Sequence, residues 1–504
     1  MIKKLFAVVL LVLAGFQVTA ANSPAKREFR GAWISTVFNS IYKDMSPEQW
    51  RNFMIQELDT LKSLGFNAVL FQVRPESDAF YISQIEPWSR WLTGTQGQAP
   101  DPLFDPMEFM IEACHERAME FHAWINPFRV NANSNNKLVE NHRYYSKRYL
   151  YLSYGKSQYL NPGIAENHTY VCNIIADIVN RYDIDAIHFD DYFYPYPIKG
   201  MNFPDNESFK KYGMPNGYEV SDKDKWRRDN INAFVKAVHD TIKAIKPWVR
   251  FGISPFGIYR NKGEWPEGGS ATNGLSSYND LYADVLYWIH EGWLDYVIPQ
   301  IYWEIGHEAA DYSTLVHWWA KQDLGKTHLY IGQDVNRSLN QIRLKWAEAD
   351  KEPNISGHCY WSADMILANK GNFQNKLRIH HKHPAIIPTH TEIDSIKPYM
   401  AYNLQFDMMG EAPTLTWDTS DEPQVLDKAF AFVVYGFLPE EEPDLSRADR
   451  ILGVTSEKRM VLPKGIDALC LYYVVTVTDR LHNESKPSPM GHFDEDYDYD
   501  PASY

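Results

Sequence analysis

The sequence predicts an α/β protein: a (β/α)8 TIM barrel followed by a small C-terminal β-sandwich. Three observations carry this. Eight apolar, strand-like segments alternate with helical patterns between residues 27 and 385. Ionisable and amide side chains gather at the C-terminal ends of those segments, while the segments themselves are nearly apolar. Beyond Pro384 the pattern changes to short alternating strands with turns rich in Asp, Glu and Pro.

The first strand is Phe29 to Thr36. Ser46-Pro47-Glu48-Gln49 opens a helix, with Ser46 as N-cap, Pro47 in the first turn and Gln49 completing a capping box; it stops at Gly65. Asn67 to Val73 is the second strand and ends in Arg74-Pro75-Glu76. A helix from Pro106 to Ala118 leads to the third strand, which ends in Asn126-Pro127. A helix from Ala165 to Tyr182 leads to the fourth, Asp185-Ala186-Ile187-His188-Phe189-Asp190-Asp191. Alternation sends His188 and Asp190 to one side and Ile187 and Phe189 to the other. A helix from Trp226 to Ile245 precedes the fifth strand, Val249 to Ile253. Leu281 to Gly292 reads as helix and Asp295 to Trp303 as the sixth strand, followed by Glu304. A helix from Tyr312 to Lys321 precedes the seventh strand, His328 to Val335, which carries Gln333-Asp334. The eighth is Ile355 to Trp361, followed by Asp364.

The expected organisation is a signal peptide over residues 1–21, the barrel over 27–385, the sandwich over 391–489 and a flexible acidic tail over 490–504. Lys3 and Lys4, the apolar run from Leu5 to Phe16 and Val18-Thr19-Ala20 form a cleavable export signal, so a periplasmic or secreted protein is expected. That run is too short for a comfortable membrane span. The net charge of -15 argues against a nucleic-acid partner. Cys114, Cys172, Cys359 and Cys470 are widely spaced and expected to be buried free thiols. No zinc-type histidine spacing is clear beside His188, and no phosphate loop or serine-hydrolase elbow is present, so no metal and no cofactor are expected.

Two carboxyls flanking a sugar bond suffice for glycoside hydrolysis. Asp190 faces the barrel interior and is the candidate nucleophile or base, with Asp191 its alternate. Glu304, beside Tyr302 and Trp303, is the candidate acid, because a carboxyl packed on aromatic rings holds its proton to higher pH. Arg74, Glu76, Asn126, His188 and Asp334 are candidate substrate contacts. A structural ion pair between Arg74 and Glu76, a satisfied core His188 and a helix-capping Asp334 are the competing readings. Tyr192, Tyr194, Tyr196, Tyr302, Trp303 and Trp361 are candidate sugar-stacking surfaces.

The words Phe29-Arg30-Gly31-Ala32-Trp33, Phe71-Gln72-Val73-Arg74-Pro75-Glu76, His122-Ala123-Trp124-Ile125-Asn126-Pro127, His188-Phe189-Asp190-Asp191-Tyr192-Phe193-Tyr194-Pro195 and Pro299-Gln300-Ile301-Tyr302-Trp303 resemble the glycosyl-hydrolase-like 10 family, formerly domain of unknown function 187. The resemblance covers nearly the whole barrel. It implies an exported hydrolase associated with cutting peptidoglycan glycan strands that have lost their stem peptides. Asp185 to Asp190 more faintly resembles the fourth-strand word of α-amylase-type barrels, whose last Asp is the nucleophile. Glu304 sits where α-galactosidase-like barrels carry their acid. Leu415-x-Trp417 and Tyr472 to Val477 resemble a fibronectin type III module.

The expected function is therefore an exported glycoside hydrolase acting on a peptidoglycan glycan or related amino-sugar polymer. The alternatives are a non-catalytic carbohydrate-binding barrel and a metal-dependent polysaccharide deacetylase.

Overall fold

The computed structural model describes residues 25–407, 412–420, 426–466 and 471–493. The expected signal peptide, Cys470 and residues 494–504 of the expected tail lie outside them. The barrel strands are β1 (Phe29–Ile34), β2 (Ala68–Arg74), β3 (Glu120–Ile125), β4 (Ala186–Phe189), β5 (Arg250–Ile253), β6 (Tyr296–Val297), β7 (His328–Asp334) and β8 (Ile355–Trp361). All pair in parallel with their sequence neighbours, and β1 pairs with β8 to close the barrel. The principal helices are α1 (Pro47–Ser63), α2 (Pro106–His115), α3 (Ala165–Arg181), α4 (Lys223–Ile245), α5 (Val285–His290), α6 (Tyr312–Ala320), α7 (Ile342–Ala349) and α8 (Phe373–His380). The Ser46–Gln49 capping box forms as the sequence predicts.

Two elements are shorter than expected. The ladder of β6 stops after Val297 because Pro299 has no N–H to offer; only isolated bridges at Gln300 continue it toward Phe256 and Gly332. The helix expected from Leu281 begins only at Val285, since Tyr282 adopts a left-handed φ of 57° and Asp284 caps the restart. The sequence reading also missed a three-stranded antiparallel sheet in the loop after β3, built from Arg129–Asn131, Tyr151–Tyr154 and Ser157–Leu160.

Strand alternation fills the barrel with stacked aromatic and polar side chains. Phe29 stacks on Tyr330 with ring centroids 4.1 Å apart, and Trp33, Trp124, Ala186, Tyr296 and Cys359 join the same buried cluster. Gly252 is required there: a Cβ would meet the Tyr296 ring at 2.1 Å. The interior becomes more polar toward both ends, with Glu120 and Arg250 near the strand starts and Gln72, Asn126 and Asp190 near the strand ends. Cys114 and Cys359 are buried free thiols, while Cys172 is free but only half-buried.

Beyond the barrel lie two antiparallel sheets. One has the order β9 (Tyr402–Asp407), β10 (Thr414–Asp418), β13 (Arg459–Val461). The other has the order β12 (Ile451–Thr455), β11 (Ala431–Phe437), β14 (Tyr472–Thr478), β15 (Gly491–His492). Leu415 and Trp417 from the first share a buried cluster with Phe432, Val434, Tyr473 and Val475 from the second.

Candidate active site

Asp190 follows β4 directly and is half-buried at the mouth of the barrel. Its Oδ2 accepts from Asn126 Nδ2 at 3.1 Å, and its Oδ1 accepts from Gln300 Nε2 at 3.3 Å and from the Asp191 N–H at 2.9 Å. Strands β3, β4 and β6 thus deliver one side chain each to a single point. All three of these groups donate to it.

Asp191 is buried behind it and accepts from the Tyr196 hydroxyl. Burial first, then the charge of Asp190 and contact with its carboxyl, push Asp191 well above the usual carboxylate range. These causes act in the same direction, toward the protonated form of Asp191. Tyr302 lies half-buried in the field of Asp190, Asp191 and Asp334; burial and those charges raise its hydroxyl well above its ordinary value, so it remains a donor. Trp303 meets Phe256 edge-on at 5.3 Å, Tyr192 and Tyr196 pack edge-on at 5.9 Å, and Trp361 meets Trp124 at 5.9 Å. Of these rings Tyr196 touches Asp191 directly, and Phe256 packs on Tyr196 with Trp303 against its other side.

Other predicted contacts are engaged elsewhere. Arg74 is fully buried and pairs with Glu86 through two bonds of 2.6 and 2.7 Å, not with Glu76. Its Nη1 also donates to the Asn126 carbonyl at 2.5 Å, so it braces the loop after β3. Glu76 accepts from the Ala132 N–H at 2.6 Å and from Trp91 Nε1 at 3.2 Å, and lies 3.4 Å from Arg90 Nε. His188 accepts from Trp33 Nε1 at 3.3 Å and lies 3.1 Å from both Ser254 Oγ and the Tyr296 hydroxyl. Burial, with His122 nearby, keeps its imidazole neutral. It is a satisfied interior residue one layer below Asp190. Tyr194 turns away from the mouth and packs on Phe203, Tyr282 and the Arg227 guanidinium. Asp334 caps the helix Val335–Ser338 by accepting from the Arg337 N–H at 2.9 Å.

Glu304 departs from expectation in its surroundings. It lies just past the β6 segment but is exposed, so the desolvation expected from Tyr302 and Trp303 is absent. The chain turns outward after Trp303, and the Glu304 carbonyl accepts from the N–H groups of His307 and Tyr312.

Gln72, Gln300, Ser254 and Arg129 were not singled out from the sequence. The first three were within reach: Gln72 follows Leu70, Ser254 follows Gly252 and Gln300 follows Ile298 at the two-residue spacing of the interior face. Arg129 donates to the Tyr192 hydroxyl at 2.7 Å and to the Pro75 carbonyl at 2.6 Å, and leaves Nη2 buried without a partner; no spacing signal marks it. No group of three metal-ligating atoms converges at this end of the barrel among the described residues.

The family model for "Glycosyl hydrolase-like 10" matches residues 28–348. "Glycosyl hydrolase YngK" of Bacillus subtilis (strain 168) is 36% identical over 511 residues, 95% of this chain and 96% of the relative. "Glycosyl hydrolase DigH" of Escherichia coli (strain K12) is 39% identical over 391 residues, 70% of this chain and 87% of the relative. Among solved structures, the PgaB (BpsB) glycoside hydrolase domain from Bordetella bronchiseptica overlaps 70% of this chain and 98% of that domain, at 14% identity and a TM-score of 0.48. With both the sequence match and two relatives named as glycosyl hydrolases in agreement, this chain belongs to the glycosyl hydrolase-like 10 family.

Proposed function

We propose that the protein is an exported glycoside hydrolase that cleaves peptidoglycan glycan strands lacking stem peptides. The observation that carries the reading is the Asp190–Asp191 pair at the barrel mouth. Asp190 is reachable and is held by two amide donors, while burial and the neighbouring charge push Asp191 behind it well above the usual carboxylate range. Asp190 is then the carboxylate that meets the substrate as nucleophile or base. Glu304, past the end of β6, is the acid. Tyr302, Trp303 and Trp361 offer ring faces for sugars. The segment beyond the barrel is assigned as a fibronectin type III-like sandwich over residues 391–489, and export rests on the N-terminal signal.

The test is mass spectrometry of products released from stem-peptide-free glycan strands. Wild type should release new reducing ends, and Asp190→Asn should lose about 10³-fold or more. Glu304→Gln should lose activity on strands but little on an aryl glycoside, whose leaving group needs no protonation. Full activity in both variants overturns the assignment. The exposure of Glu304 favours a second reading, a glycan-binding barrel without turnover. That reading predicts no new reducing ends from wild type and unchanged glycan binding by Asp190→Asn. Export is tested separately by sequencing the N-terminus of the mature protein, expected near Ala21.

A further inference from the structure

We propose that Glu28, His358 and His380 form a site for one divalent ion of the zinc class, set outside the barrel wall near the strand starts. Glu28 immediately precedes β1, His358 lies on β8 and His380 ends α8. Cys359 and the half-buried Trp361 belong with the interior cluster, so alternation turns His358 outward, toward the helices. One ion would tie together the first strand, the last strand and the last helix of a barrel that closes between β1 and β8.

The three ligand atoms lie within 4.8 Å of one another. A tetrahedral ion with bonds of about 2.1 Å spaces its ligands about 3.4 Å apart, so a small inward shift completes the site. Each ligand is already oriented. Arg30 Nε and Nη2 both hold Glu28 Oε2 at 2.7 Å, which leaves Oε1 facing His380 Nε2 at 3.9 Å. His380 lies flat on Trp346, with centroids 3.9 Å apart and ring planes within 1°, and its Nε2 is buried with no hydrogen-bond partner. His358 is 2% exposed, and Gln333 Nε2 lies 3.4 Å from its Nδ1, so Nε2 is the nitrogen left for a ligand. The two imidazoles are tilted by 56° with centroids 6.1 Å apart, an arrangement in which their lone pairs can converge.

A buried imidazole nitrogen without a partner is destabilising unless something binds it. The surroundings supply a route: all three residues line a cavity of about 590 Å³, whose lining also includes Asp350, Glu352, Arg27 and Arg30. It leaves room for a water as fourth ligand. Two imidazoles and one carboxylate select zinc-class ions over magnesium or calcium, which prefer all-oxygen shells. The other cluster of this kind, His328, His390 and Glu392, is less suited. There the imidazoles are stacked 4.2 Å apart within 19°, so their lone pairs run side by side, and His390 Nδ1 is already bonded to Glu392 at 2.9 Å. His390 Nε2 is also buried without a partner, so that cluster is the rival site against which the assignment is tested.

The full-length, metal-free protein is titrated with zinc chloride in competition with a chromophoric chelator, alongside His358→Gln, His380→Gln and His390→Gln. Wild type and His390→Gln should bind one zinc per chain and unfold at a higher temperature with zinc present. His358→Gln and His380→Gln should bind at least about tenfold more weakly. No binding by wild type, undiminished binding by both of those variants, or loss confined to His390→Gln overturns the site. If the variants do not fold, zinc-edge anomalous diffraction from zinc-soaked wild-type crystals decides. A peak between Glu28, His358 and His380 supports the site, and a peak elsewhere or none overturns it.

Discussion

Asn126 donates to Asp190 because Gln72 leaves it no other orientation. The backbone N–H groups of Thr36 and Val37 both donate to Gln72 Oε1, at 2.8 and 2.9 Å. Gln72 must therefore present its amide nitrogen to Asn126 Oδ1, 2.6 Å away, and Asn126 must present its own nitrogen to Asp190 at 3.1 Å. A polarity set by the backbone after β1 is passed through the ends of β2 and β3 to the acid after β4.

Gln72→Glu tests this relay without touching substrate. Its carboxylate still accepts from Thr36 and Val37 but has no proton for Asn126, whose amide is then free to turn its oxygen toward Asp190. Glycan hydrolysis should fall by about 10²-fold. The loss should fall on kcat, with KM nearly unchanged, because Gln72 acts through Asn126 and not on the sugar. A variant that loses stability but keeps the wild-type kcat when folded would show that Gln72 only supports the fold.

Arg74 makes the opposite case, a residue at a strand end whose work is structural. Removing it leaves Glu86 buried beside only Tyr170 and costs about 3–5 kcal/mol. Arg74→Ala should therefore shift the urea midpoint strongly. Arg74→Met combined with Glu86→Gln, which buries no unpaired charge, should be milder. Comparable midpoints for the two variants would rule out the ion pair as the source.

The alternation of apolar segments made the barrel legible, because a parallel strand buried on both faces leaves a continuous apolar run. The candidate acids were legible from their place at strand ends. What the sequence could not convey was the direction of each polar side chain once the strand ends. Arg74, Glu76 and Tyr194 stand in similar positions to Asn126 and Asp190, yet they turn to Glu86, Arg90 and Phe203. Those partners lie 9 to 14 residues further along the chain, in loops with no periodicity from which to infer the contact. The exposure of Glu304 has a different origin: Pro299 ends the β6 ladder early, and the chain leaves the barrel before the carboxyl can be covered.

Glu57 on α1 gives a pH dependence of stability that can be measured apart from the mouth residues. It is 3% exposed, makes no hydrogen bond or ion pair among the described residues, and is pushed up to about 8 by burial, with Asp364 adding to the shift. Between the pKa of the unfolded chain and about 8, the native state holds a proton that the unfolded state has released. Stability therefore falls as pH rises across that window, by up to about 1.4 kcal/mol per pH unit, and the slope ends above it. Glu57→Gln removes the titrating group and keeps the shape. Its stability relative to wild type, from urea unfolding at pH 5, 6.5 and 8, should climb steadily; a constant difference would mean that Glu57 is already ionised in the native protein.

Glu120 joins the two parts of the chain at the end of the barrel away from the acids. It accepts from Arg250 Nη2 and lies against His482 Nε2, each at 2.5 Å, with His122 Nε2 at 2.9 Å. His482 follows β14, and its neighbour Arg480 lies 2.6 Å from Asp183, while Glu484 pairs with Lys26 at 2.5 Å. His482→Ala leaves Glu120 with two partners, so the loss should be about 1–3 kcal/mol rather than the full penalty of an unpaired charge. It should fall on the contact between the C-terminal sheets and the barrel. Limited proteolysis is then expected to cut near residues 384–391 faster than in wild type. Turnover at the far mouth should stay nearly constant, because none of these groups contacts Asp190 or Asp191. Equal cleavage rates in the two proteins would show that the Glu120–His482 contact does not hold the sheets to the barrel.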